Sequence, residues 1–76
     1  MSNHSTYKVK LTFRDKSTGY VFYASFTKDG NVRRVLLTDK ESKAQEFAKH
    51  GTANLAGEFC NAKMAITGFE VLTINQ

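Results

Sequence analysis

From Tyr7 to Arg14 the chain alternates without a break: Tyr7, Val9, Leu11 and Phe13 are apolar, with Lys8, Lys10, Thr12 and Arg14 between and after them. Successive side chains of a strand point to opposite faces of a sheet. Period two over this length therefore specifies a strand with one buried and one wetted face. The apolar face has to be covered, and 76 residues leave room for a single domain to cover it. A domain this small buries a modest share of its surface and has a thin margin of stability. Cys60 is the only cysteine, so no disulfide inside the chain can add to that margin. His4, His50 and Cys60 do not make up a zinc set. Packed side chains must do the work, and three tyrosines and six phenylalanines supply much of the bulk.

Two further strands follow the first. Asp15-Lys16-Ser17-Thr18-Gly19 is rich in turn formers and closes a hairpin onto Tyr20–Thr27, a run of mostly aromatic and β-branched residues. Asp29-Gly30 suits a two-residue hairpin loop leading into Val32–Leu37. That loop sets Ala24 opposite Val35 and Phe22 opposite Leu37. One face then carries Phe22, Ala24, Phe26, Val35 and Leu37 and packs with Tyr7, Val9, Leu11 and Phe13. Arg33 falls on this face too, near the turn, where its head reaches water. The other face carries Lys8, Lys10, Thr12, Arg14, Tyr23, Ser25 and Arg34, with Val21, Val32 and Leu36 among them. A slip of one residue would exchange the two faces.

The period changes after Leu37. Thr38-Asp39-Lys40-Glu41 reads as a capping box, in which Thr38 caps the amide of Glu41. Ala44, Phe47 and Ala48 lie at helical spacing, and His50-Gly51 reads as a helix stop. Thr52 then caps a second helix with Leu55, Ala56, Phe59 and Cys60 on one side. The alternative is one helix over residues 39–61 that tolerates Gly51 at a cost of roughly 1 kcal/mol. Gly68 opens a last strand, Phe69–Ile74, expected beside the first. The expected fold is α+β: a two-layer sandwich in the order β-β-β-α-β, with a three-stranded antiparallel meander, one bent or two short helices, and a returning strand. Residues 1–76 form one domain, with 1–6 as a flexible tail.

Charge is distributed unevenly. Residues 1–34 hold seven of the eleven lysines and arginines but two of the seven acidic residues, so the net +4 resides in the first half. Such asymmetry bears on partners rather than on fold. The polar start leads into no signal-type apolar run, and no stretch approaches the length of a bilayer span. A cytoplasmic protein without a membrane partner is the expectation.

Candidate chemistry is sparse. Cys60 lies on the expected apolar stripe and reads as a small core hydrophobe. His50, expected near a helix C-terminus, has no Ser, Cys or carboxylate placed to relay a proton. Asp39, Glu41, Glu46 and Glu58 read as a solvated helix face rather than a converging acid–base pair. The five glycines form no phosphate-cradling loop. The reading is of a protein without catalytic residues, metal or cofactor. The basic sheet face stands out. Lys8, Lys10, Arg14 and Arg34 on that face, with Arg33 reaching water near the turn, are candidates to meet phosphates or acidic groups, while Tyr23 stacks on a base. Val21, Tyr23, Val32 and Leu36 would also form an apolar patch rimmed by charge, of the kind found at protein contacts and homodimer interfaces.

The segments Leu37-Thr38-Asp39, Ala44-Gln45-Glu46-Phe47, Thr52-Ala53, Ala56-Gly57-Glu58-Phe59 and Gly68-Phe69-Glu70-Val71 together resemble a pattern of small phage and prophage accessory proteins. That pattern is a β-meander, an Ala-x-x-Phe segment, a helix and a Gly-Phe-Glu-Val type strand. The likeness covers about half the chain and rests on core positions, so it transfers no functional residue. It implies a non-enzymatic phage protein that inhibits or modulates a host macromolecular complex, as anti-CRISPR proteins do. A host protein or ribonucleoprotein complex is then the expected partner. A small module binding DNA or RNA through the basic sheet face, and a homodimeric structural module, are the alternatives.

Overall fold

The computed structural model describes residues 5–75. The chain folds as β1 (Ser5–Phe13), β2 (Thr18–Phe26), β3 (Val32–Thr38), a 3-10 turn (Glu41–Lys43), α1 (His50–Lys63) and β4 (Ile66–Asn75). The strands form one antiparallel sheet in the order β3-β2-β1-β4, with α1 packed mainly over β1 and β4. This is the expected α+β architecture, and β4 returns beside β1. Its thinnest dimension is 17 Å, which suits one sheet and one helix. Ser5 and Thr6, placed with the tail by the sequence, begin β1 opposite Asn75 and Ile74. His4 lies outside the described residues.

The alternation of β1 does what its period demands. Val9 and Leu11 are fully buried against the helix layer. On α1 the buried positions are Ala53, Ala56, Gly57 and Cys60, all small, which lets the helix approach the sheet closely. A Cβ built on Gly57 would lie 2.2 Å from the Phe69 ring, so the ring occupies the space that a side chain would need. Leu55, expected on the buried stripe, is exposed, and Phe59 is half-buried.

Three bulges break the alternation elsewhere, and two of them overturn expected facings. Asp29-Gly30 is not a two-residue loop. Gly30 N–H donates to Thr27 O at 3.0 Å, Thr27 N–H donates to Asn31 O at 2.8 Å, and Gly30 has φ +88°. This is a three-residue loop ending on a left-handed residue, a role that glycine fills without strain. The longer loop shifts the register by one residue, and an extra residue at Arg33 shifts it back, so Ala24 does face Val35. A second extra residue, Phe22, then sets Val21 rather than Phe22 against Leu37. Val21 is fully buried and Val32 packs on the core, whereas the sequence pattern put both outside. Phe22 and Arg33, expected to face inward, are exposed. The third bulge lies between Thr12 and Phe13 in the pairing with β4, where Thr67 is the extra residue.

The stretch expected to be helical from residue 39 is not. Thr38 Oγ1 accepts from Lys40 N–H at 3.2 Å, and Lys40, not Thr38, precedes the short 3-10 turn, so the capping box does not form. Residues 44–47 fill a gap in the sheet. β1 and β2 pair only from Lys10–Thr12 to Thr18–Tyr20 and then part. In the opening, Phe47 exchanges hydrogen bonds of 2.7 and 2.9 Å with Tyr7, and Gln45 N–H donates to Val21 O at 2.9 Å. The Gln45 side chain accepts from Ala24 N–H at 2.7 Å. Backbone groups at a parted pair of strands need partners, and this demand outweighs the helical spacing of Ala44, Phe47 and Ala48. Ala44 and Phe47 are buried all the same, and Ala48 is exposed. His50-Gly51 therefore starts α1 instead of ending a helix, with Lys49 at the N-cap and Thr52 within the first turn.

Candidate macromolecule-binding face

The six residues singled out from the sequence do not stay together. Lys8 is 9% exposed, and its Nζ donates to Glu41 O at 2.8 Å, which pins the 3-10 turn across the sheet. The structure removes Lys8 from any binding surface. Tyr20 Oη reaches the same Glu41 through its carboxylate at 3.4 Å, so this turn covers part of the face opposite the helix. Lys10 is half-buried, with Tyr20 on one neighbouring strand and Glu70 on the other. Arg14 is exposed beside the β1–β2 turn. In that turn Asp15 accepts from the Ser17 amide at 3.0 Å and from the Ser17 hydroxyl, and these bonds hold its carboxyl below the ordinary range.

Tyr23, Arg33 and Arg34 do come together, on the paired strands β2 and β3. The cause is the two bulges. With Phe22 inserted, Val21 and Ala24 both turn to the core, and the two aromatics between them are 46% and 48% exposed. With Arg33 inserted, Val32 packs on the core and Val35 is buried, and the two arginines between them are exposed. Tyr23 sits opposite Leu36, itself 40% exposed, and Ser25 sits opposite Arg34. Tyr23 and Arg34 are thus diagonal neighbours, within reach of long side chains. Among the described residues, Arg33 and Arg34 have no ion-pair partner. Phe22 was missed from the sequence because no residue type announces a bulge in mid-strand.

The remaining candidates stay apart. His50 meets Tyr7 edge to face, with ring centroids 5.5 Å apart, and it stands at the start of α1 rather than at a C-terminus. Cys60 lies ten positions further along the helix, roughly 15 Å away along its axis. It is buried, and loss of water around the thiol pushes its pKa up to about 11. Asp39 is the one carboxylate lining a shallow depression of about 230 Å³ formed with Phe13, Thr18, Gly19, Leu37 and Thr38. Among the described residues, no three His, Cys, Asp or Glu side chains group to hold a metal ion, and no helix is long and apolar enough to cross a membrane. Set against models of protein families, curated proteins and solved structures, the chain matches none.

Proposed function

We propose that this chain is a non-enzymatic binding module that contacts a macromolecule through the exposed face of β2 and β3. One observation carries the reading: bulges on adjacent strands expose Phe22, Tyr23, Arg33 and Arg34 together beside Leu36. Aromatic residues and arginine dominate the energetic centres of interfaces, because they combine large contact area with directed polar groups. A host macromolecular complex, protein or ribonucleoprotein, is the partner suggested by the resemblance to phage accessory proteins. Binding such a complex would inhibit or modulate it by occupying a working surface.

The test uses tagged full-length chain and a bacterial lysate, beside a Tyr23→Ala/Leu36→Ser variant with an unchanged circular dichroism spectrum. Both side chains are about half exposed, so the variant leaves the core intact. Wild type should retain a defined set of macromolecules that the variant loses. Equal retention by the two forms, or nothing beyond the tag control, would refute the reading.

A further inference from the structure

We infer that the occupant of this face is single-stranded nucleic acid, with bases stacked on Phe22 and Tyr23 and the backbone held by Arg33 and Arg34. The inference rests on the binding-module reading above and names its ligand. A regular strand pair would expose one residue of each couple and bury the other, since side chains alternate between faces. Each bulge instead leaves both members exposed, two adjacent aromatics on β2 and two adjacent arginines on the strand paired with it. Bulges commonly re-aim side chains at functional positions. Every base has a π-face, so an exposed aromatic pair takes any unpaired base by stacking. A paired duplex hides those faces and cannot use them. Arg33 and Arg34 are without ion-pair partners among the described residues, and Lys28 is exposed in the loop joining the two strands. The excess positive charge of the first half of the chain thus has an outlet where the rings are. This chemistry fits DNA and RNA alike, since stacking and phosphate contacts serve both.

Fluorescence anisotropy of labelled oligothymidylate and oligouridylate, each about 16 nucleotides, against the full chain tests the inference. Binding should saturate at low salt. It should weaken roughly tenfold between about 50 and 200 mM salt, as release of counterions from two or three phosphates requires. Phe22→Ala/Tyr23→Ala should weaken it by about fivefold or more, the loss of at least one stack. Arg33→Glu/Arg34→Glu should abolish it. Lys49→Glu/Lys63→Glu carries the same charge change at the two ends of the helix and should bind nearly as wild type. A preference for one of the two oligomers assigns DNA or RNA. No binding at low salt, equal affinity for a duplex of the same length, or equal damage from the helix variant would each overturn the inference. Lysate capture that resists nuclease yet needs Tyr23 and Leu36 would keep the binding module while replacing its ligand by a protein.

Discussion

Cys60 shows how a single side chain can be assigned from its surroundings. The sequence placed it on an apolar stripe, and the structure buries it between helix and sheet with Ala53 and Ala56. A thiolate there would lose its hydration, so the folded state holds the thiol proton to about pH 11, above the ordinary value of 9.0. The unfolded chain gives up that proton first as pH rises. Fewer protons are then bound in the unfolded state than in the folded one, and stability falls as pH climbs through this window. Urea unfolding of wild type should therefore show a loss of stability between about pH 9 and pH 11 that Cys60→Ala, followed over the same pH range, lacks. Below pH 9 the two stability curves should run parallel. Identical slopes above pH 9 would mean that the thiol is hydrated in the native state.

At the scale of the element, α1 is held by shape more than by its own sequence. Its N-cap is Lys49, which makes no capping hydrogen bond, and its first turn contains Gly51. Its buried side is built of small residues that fit under the sheet. Two glycines of this helix should thus respond in opposite directions to the same substitution. A Cβ on Gly51 meets nothing within 4 Å, so Gly51→Ala should stabilise by up to about 1 kcal/mol through reduced freedom of the unfolded chain. A Cβ on Gly57 would lie well inside the Phe69 ring's contact distance. Overpacking of that kind costs roughly 1–3 kcal/mol, enough to exceed the propensity gain, so Gly57→Ala should lower the melting temperature. Trimming the ring in Phe69→Leu should relieve part of that penalty, giving a double mutant more stable than the sum of the single changes. If Gly57→Ala melts at or above wild type, the close approach of α1 to β4 does not constrain this position.

Over the whole molecule, what the sequence disclosed was whatever depends on local period. The alternation of β1, the hairpins, the order of elements and the burial of Cys60 were all legible. What it hid depends on contacts between distant segments. Phe47 has helical spacing, but the parted strands β1 and β2 claim it as an extended residue. The loss of Lys8 from the basic face follows from Glu41, thirty-three positions away. The alternation turns Phe22 and Arg33 inward and the structure exposes both, because a bulge has no reliable residue signature. The register nonetheless kept Ala24 opposite Val35, because the longer loop and the Arg33 bulge offset one another. A bulge is an extra residue, and that gives the fold an unusual tolerance. Deleting Phe22 joins Val21 directly to Tyr23 and restores strict alternation: Val21 stays inward, Tyr23 outward and Ala24 inward. Every buried side chain keeps its face. Deleting Lys10 from the regular part of β1 instead inverts everything that follows on the strand, sending Leu11 outward and Thr12 toward the core. The Phe22 deletion should therefore fold cooperatively with a near-native circular dichroism spectrum and a melting point lowered by only a few degrees, corresponding to roughly 1 kcal/mol. The Lys10 deletion should show no cooperative transition. Because the shortened β2 retains Tyr23 but loses its neighbouring ring, the Phe22 deletion should also weaken oligonucleotide binding while leaving the fold in place. Unfolding by both deletions would show that the Phe22 bulge is required to close the sheet, rather than serving to turn a second aromatic outward.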